Sequence, residues 1–248
     1  MYDSSQDFFK KFSVNGELLW IEKGLLKDGL WIRSDRIISY NNHMYLGVQE
    51  SGAGIDWKSR TIVMYNGDGQ LSSTFGAYDP DLKGGKNKEL YINLNSISLD
   101  PAGSKIFTTH RTSPYIQTFD ANTGDQISRF GFVSDHFKIS NDKPSISDPR
   151  PIRRKKNLKQ SFVGESFVSN TYFFFHHFHW TEEFWQLQDP NAKPHFLNVF
   201  QKDKPHAFLG EIALPYMPLY ISTNNEAYLL ENDNPENFTI GVYKVSGI

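Results

Sequence analysis

Along nearly the whole chain, short runs of apolar, β-branched and aromatic residues alternate with polar positions at a period of two, and Asn/Asp-Gly clusters punctuate them. Between residues 8 and 24 two strands meet at Asn15-Gly16, a dipeptide that tolerates the positive φ of a tight hairpin. After a linker from Leu25 to Ser34, strands are predicted at Arg36–Tyr40, His43–Gln49, Thr61–Tyr65 and Gln70–Phe75. Four more follow at Asn95–Leu99, Ser104–Thr109, Tyr115–Phe119 and Asp125–Phe130, then four at Ser161–Val168, Tyr172–Phe178, His195–Phe200 and His206–Ile212. Leu219–Ser222, Glu226–Leu230 and Phe238–Val245 complete the series. No window of eleven or more residues shows a helical period with caps.

One phrase recurs. Ile116–Gly131 reads I-Q-T-F-D-A-N-T-G-D-Q-I-S-R-F-G: a strand, a tight turn and a second strand closing on Phe-Gly. Ile62–Gly76 repeats it, Phe9–Gly24 is a looser copy, Leu197–Gly210 a degenerate one, and I-G-V-Y-K-V from Ile240 a truncated one. The aligned aromatics Phe12, Tyr65, Phe119, Phe200 and Tyr243 recur at roughly fifty-residue spacing, widened once by an insertion. Four-stranded units in tandem predict an all-β fold, a β-propeller of four-stranded antiparallel blades forming one domain over residues 1–248. Its parts are a partial blade at 8–24, blades at 36–76, 95–131, 161–212 and 219–245, and a basic inter-blade insertion at 132–160, so about five blades are represented. An irregular β-sandwich is the competing fold. The first set lacks its two inner strands and the last its outer one, which leaves two readings: a compact propeller with unusual closure, or the C-terminal part of a longer one.

The pattern of Phe/Tyr, then Asn/Asp-Gly, then a strand ending in Phe-Gly resembles the six-bladed TolB-like and NHL-like propellers, in particular a bacterial group of envelope lipoproteins of unassigned function. The ending V-Y-K-V suits that group's C-terminal strand. The resemblance implies six blades, an N-terminal lipoprotein signal and a place in the bacterial cell envelope or periplasm. The chain carries neither six blades nor the signal, which supports the truncated reading.

Composition narrows the field. The 20 Phe, 12 Tyr and 5 Trp suit sheet-on-sheet packing, and a net charge of -2 gives no global case for binding nucleic acid or anionic membrane. The absence of cysteine excludes disulfides and thiolate metal sites. The N-terminus M-Y-D-S-S-Q-D-F-F has no basic or apolar region of a signal peptide, and the longest apolar run, Phe173–Phe175, is too short for a transmembrane segment. A monomer is expected.

Candidate chemistry follows from loop asymmetry. Connections between first and second strands and between third and fourth are minimal, whereas Gln49–Arg60, His110–Pro114, His179–Pro194, Glu231–Asn237, Ala77–Asn93 and Phe132–Gln160 are long and share the opposite face. Binding is therefore expected there, at the channel mouth. In H-H-F-H-W-T-E-E-F-W, His177 and His179 share one side of a strand with His176 on the other, and His177, His179 and Glu182 or Glu183 could supply two or three ligands for zinc or another divalent ion. The plainer reading is a polar strand end with Trp180 and Trp185 packing on a neighbouring blade.

His110 and Arg111, with Tyr115 just beyond, could hold a carboxylate or phosphate, or form only an exposed hairpin tip. Glu50, Asp56, Trp57 and Arg60 occupy the corresponding loop of the earlier blade and Asp233 that of the last; a ring of such acids could chelate calcium. The run from Pro149 to Lys159 reads as a solvated basic loop. No nucleophile elbow, phosphate loop or HExxH is found. The sequence thus favours a non-enzymatic scaffold that engages a protein, peptide or glycan ligand, without cofactor. The alternative is a propeller-type hydrolase or lyase with a His/Glu or divalent-metal site at the channel mouth.

Overall fold

A computed structural model describes residues 2–3, 8–12, 15–23, 30–50, 60–82, 95–145, 147–203 and 205–246. Five antiparallel sheets form among these residues, and their middle strands are buried on both faces. The first holds β1 (Tyr2–Asp3), β2 (Phe8–Phe12) and β3 (Leu18–Lys23). The second runs β4 (Leu30–Tyr40), β5 (His43–Glu50), β6 (Ile62–Asn66) and β7 (Leu71–Phe75). The third runs β8 (Asn95–Leu99), β9 (Lys105–His110), β10 (Tyr115–Asp120) and β11 (Gln126–Gly131). The fourth runs β12 (Ser161–Val168), β13 (Tyr172–His179), β14 (His195–Gln201) and β15 (Phe208–Leu214). The fifth has three strands, β16 (Met217–Ile221), β17 (Glu226–Asn232) and β18 (Thr239–Lys244).

Each sheet is a meander in chain order, and the first strands β4, β8, β12 and β16 pack side by side. The sheets therefore radiate from a common axis, which is the arrangement of propeller blades. The repeated phrase has a structural meaning. In four of the sheets the strand pairing shifts register at the aligned aromatic: at Lys11/Phe12, Met64/Tyr65, Thr118/Phe119 and Val199/Phe200. Such a bulge tightens the local twist, and the Asn or Asp after it builds the turn. Asn66 Oδ1 accepts from the amides of Asp68 and Gln70, and Asp120 Oδ1 from those of Asn122 and Thr123.

Among the described residues three apolar clusters join the second sheet to the third, the third to the fourth and the fourth to the fifth. Tyr45, Ile62, Met64 and Phe75 meet Ile97, Ile106 and Phe119 between the second and third sheets. Phe107 and Ile116 meet Val163, Phe173, Phe175 and Phe200 between the third and fourth. Phe167, Phe174, Leu197 and Val199 meet Ile221, Ala227 and Leu229 between the fourth and fifth. Phe107 and Phe173 stack with centroids 4.7 Å apart, and the Tyr45 hydroxyl donates to the Ala121 carbonyl across an interface at 2.8 Å. Each buried Phe or Leu contributes about 1.5–3 kcal/mol by leaving water.

Two features depart from expectation. The basic run read as a loop forms a helix, α1 (Arg150–Asn157), with Pro149 and Pro151 at its start, where a missing N–H is not needed. A second helix, α2 (Glu182–Leu187), is capped by Thr181, whose hydroxyl accepts from the Phe184 amide at 3.0 Å. Both are too short to reveal a period in the sequence. Tyr243, the last aligned aromatic, is 38% exposed on β18, the outermost strand of its sheet among the described residues; its hydroxyl donates to Glu231 at 2.6 Å.

Gly124 adopts φ +76°, and a Cβ there would lie 2.7 Å from the Phe75 ring of the neighbouring sheet, whereas Gly16 at φ +85° faces open space. Gly124→Ala should therefore cost about 1–3 kcal/mol and Gly16→Ala about 1 kcal/mol, read from urea-denaturation midpoints. Equal losses would mean that the turn's packing against Phe75 contributes nothing.

Candidate functional site

The two rims of the propeller differ in kind. On one, the turns use positive φ at Asn41, Asn42, Gly69, Gly103, Gly124, His206 and Asn225 and lock onto their neighbours. Lys202 reaches Asp100 at 2.9 Å with both side chains nearly buried, Lys105 reaches Asp203 at 3.1 Å, and the Asn170 amide donates to the Thr223 carbonyl. The opposite rim carries residues 111–114, α2 with residues 180–194, α1 and residues 233–238, and among the described residues it holds both helices. Arg154 on α1 pairs with Glu182 on α2, while Asn191 donates to the Leu230 carbonyl at 2.8 Å and accepts from the Met217 amide at 3.0 Å.

The histidines do not gather at this rim. His110 is fully buried between the second and third sheets, where Nε2–H donates to Gln117 at 3.3 Å and the ring packs on Tyr78. His177 is buried between the third and fourth sheets. Its Nε2–H donates to Glu211 at 3.0 Å, and the same carboxylate accepts from Ser134 and His136. His179 donates to the His136 carbonyl at 2.6 Å. His176 points to the other face, where it donates to His195 at 2.9 Å, and His195 in turn donates to the Pro190 carbonyl at 2.9 Å. Gly164 makes room for this pair, since a Cβ there would lie 2.2 Å from His176 Nδ1.

Burial sets the charge state of these rings. It pushes His110 and His177 down, in His177 against the upward pull of Glu211. It pushes His176 well below its ordinary value, and brings His179 and His195 to about 4, with Lys138 and Lys193 adding repulsion respectively. Burial alone would raise the Glu211 carboxyl, but the bonds from Ser134, His136 and His177 outweigh it and hold it below the usual carboxylate range. The arrangement is a neutral imidazole donating to a carboxylate.

The open chemistry of the long-loop rim is aromatic and cationic. Arg111 lies 5.8 Å from the Phe162 ring and 5.3 Å from the Phe178 ring. Lys193 lies 4.8 Å from Phe178 and 4.4 Å from Phe184, and burial followed by the Arg111 charge lowers its pKa to about 8, with Asp189 acting upward. Trp180 stacks on Phe162 at 4.7 Å and meets Trp185 edge-on at 4.8 Å; Arg154 caps Trp185 at 5.6 Å. Half-buried Trp180, Phe184, Trp185, Arg111 and Lys193 thus form one ledge. Lys193 makes no ion pair among the described residues.

The structure brings Arg111 and Trp180 together on that ledge and sets Glu182 beside it, engaged with Arg154. It places His110 between the second and third sheets, and His177 beside His179, centroids 6.2 Å apart, with both tied to the segment of His136, so the grouping of those three with Arg111 and Glu182 around one pocket does not form. Among the described residues no three His, Asp or Glu side chains are disposed to hold a metal ion. Tyr115 stands apart, with the Arg129 guanidinium 3.8 Å over its ring, held there by Asp79 and Asp81. Arg60 is exposed before β6, Asp233 is exposed after β17, Trp57 and Asp56 lie outside the described residues, as does the Glu50 side chain. Sequence reasoning missed Lys193, Glu211, His136 and His195. No motif marks them, because their partners lie on other strands.

A scan against protein-family profiles finds no match, and no curated protein matches the sequence. Solved structures do match. A member of the DUF4221 family from Bacteroides vulgatus aligns with TM-score 0.66 at 10% identity, over 97% of this chain and 74% of that one. A putative 6-phosphogluconolactonase from Bacteroides uniformis aligns with TM-score 0.50 at 12% identity, over 96% of this chain and 60% of that one. The WD40 domain of Neurospora crassa Pan2 gives TM-score 0.45 at 9% identity over 98% and 61%. At such identities the likeness is one of fold, and the fold is the β-propeller. No helix among the described residues is long and apolar enough to cross a membrane.

Because His179 and His195 titrate near 4 in the folded chain and near 6.5 when unfolded, the unfolded chain binds the extra protons between those values. Stability should fall progressively as the pH drops from about 6.5 to about 4. A His179→Gln/His195→Gln variant should show a shallower loss of Tm over that window; parallel curves would exclude these rings as the cause.

Proposed function

We propose that this propeller is a non-enzymatic binding scaffold whose long-loop rim engages an acidic glycan through the ledge of Arg111, Trp180, Phe184, Trp185 and Lys193. The observation that carries this reading is Lys193, a cation held between two phenyl rings beside a second cation, with no ion pair of its own among the described residues. A carboxylate arriving there would relieve the repulsion with Arg111, while flat aromatic faces suit the C–H face of a pyranose ring. A protein or peptide offering acidic side chains is less well matched, since the aromatic groups are spread as a shallow ledge rather than as deep pockets for apolar anchors. Against hydrolysis or lyase chemistry stands the use of His110, His177 and His179 in buried structural hydrogen bonds to Gln117, Glu211 and the His136 carbonyl. The same proposal keeps the TolB/NHL-like, six-bladed envelope type, supported by the repeated Phe/Tyr, Asn/Asp-Gly, Phe-Gly phrase.

Acidic oligosaccharides such as oligogalacturonate should bind in calorimetry where a neutral oligosaccharide does not. Lys193→Ala and Trp180→Ala should each weaken binding by about tenfold or more, equivalent to about 1.4 kcal/mol. Binding should also weaken as the pH rises past about 8, where Lys193 loses its proton. Binding that is indifferent to both substitutions would remove the ledge from the function, and conversion of the ligand would make the protein an enzyme.

A further inference from the structure

Charge is distributed unevenly along this chain. Residues 138–160, in the connection from β11 to β12 that contains α1, hold 8 Lys and Arg against 2 Asp, a net charge of +6, while the remainder of the chain carries -8. Both acids are already engaged: Lys156 reaches Asp142 and Asp148, each at 3.1 Å, and Lys159 reaches Asp142 at 3.7 Å. Arg150 and Lys155 of α1 are exposed and make no ion pair among the described residues. Folding does not ask for this arrangement. Like charges three and four residues apart repel, as in Arg150, Arg153 and Arg154, and the first turn carries Arg150 and Arg153 but no acid, against the sense of the helix dipole. A solvated face of mixed charge would fold at less cost.

Helix α1 is also joined to the aromatic ledge. Ring contacts run from Phe162 to Trp180 at 4.7 Å and from Trp180 to Trp185 at 4.8 Å, and the Arg154 guanidinium lies 5.6 Å from Trp185. Arg154 is held there by Glu182 of α2. Its neighbour Lys155, and Arg150 one turn back, therefore extend the cationic surface that Arg111 and Lys193 begin over Phe178. The helix itself is about 12 Å long at 1.5 Å per residue. A short acidic ligand seated on the ledge leaves these charges unanswered, whereas a longer polyanion answers both. Other polyanionic partners fit less well. The sequence of α1 has no aromatic side chain on which a nucleic-acid base could stack, and Ile152, 44% exposed, is its one exposed large apolar group, too little for insertion into a bilayer.

We propose that α1 is a second contact for the acidic glycan, so that the ligand is a polyanionic chain that starts on the ledge and continues across Arg150 and Lys155. This rests on the glycan reading of the rim and specifies a long charged polymer as its ligand. The test is calorimetry of the whole chain at low salt with a trimer and a dodecamer of galacturonate, beside duplex DNA and vesicles of anionic phospholipid. The dodecamer should bind about tenfold more tightly than the trimer, and the gain should shrink as added salt screens it. Arg150→Glu/Lys155→Gln should remove that gain of about tenfold while trimer affinity changes by less than about twofold. Its Tm should not fall, because an acid in the first turn suits the helix dipole, so lost binding would not report lost structure. Lys155→Gln alone should lower dodecamer affinity by a smaller factor in the same sense. Equal affinity for trimer and dodecamer, or a gain that the double variant keeps, would overturn the proposal and leave the ledge reading standing. DNA or vesicles bound as tightly as the dodecamer, and weakened equally in the double variant, would also overturn it and make α1 a site for that partner. If neither galacturonate binds, both readings fall together.

Discussion

The middle strands of this protein are apolar on both faces, and nearly everything else follows from that. In β13 the run Phe173-Phe174-Phe175 sends its first and third rings toward the third sheet and its second toward the fifth. A strand of this kind cannot lie at a solvent face, and a lone pair of sheets would cover only one side of it. Stacking sheets radially covers both. The aligned third-strand aromatics Tyr65, Phe119 and Phe200 are each buried to within 2% of completely, and each sits beside a bulge that sets the twist needed for the next sheet to fit.

That constraint decides which parts of the molecule were legible in the sequence. The phrase around Phe119, Asp120 and Gly124 is local: aromatic, bulge, Asx turn and glycine lie within six residues, so their pattern announces the hairpin and its repetition announces the propeller. The strand positions follow for the same reason. The site is not local. His177 looked like half of a metal pair with His179, yet the strand beside it puts Asn198 opposite Glu211, and that carboxylate claims the imidazole. Nothing in the spacing of residues 177 and 211 carries this information, because strand register and sheet stacking create the contact. The helix α1 was hidden for a different reason. Its eight residues are mostly cations, so it has no apolar stripe to betray a period, and Lys156 is instead tied down by Asp142 and Asp148.

Burial of both sheet faces also explains why the histidines serve as structural donors. An imidazole covered by a neighbouring sheet must lose its water, and loss of water favours the neutral form. His176 and His195 meet in that form, one donating to the other, with the chain of bonds ending on the Pro190 carbonyl. A group so placed cannot exchange protons with a ligand on the rim. Polar groups with freedom to meet a ligand must therefore come from segments outside the stacked strands.

Those segments are unequal by construction. The short-turn rim is consumed by its own contacts, with Lys202 and Asp100 almost withdrawn from water and left and right neighbours bonded through main-chain groups. On the other rim the loops are long enough to carry helices and still leave Lys193, Trp180 and Arg111 half-buried on a ledge. A rigid stack fixes where these loops start and end, yet places no demand on the side chains at their tips. The burial of Lys193 and its repulsion with Arg111 over the Phe178 ring are costs that folding does not require. Groups kept at a cost, on a surface that the core does not need, are the ones for which a ligand is the economical explanation.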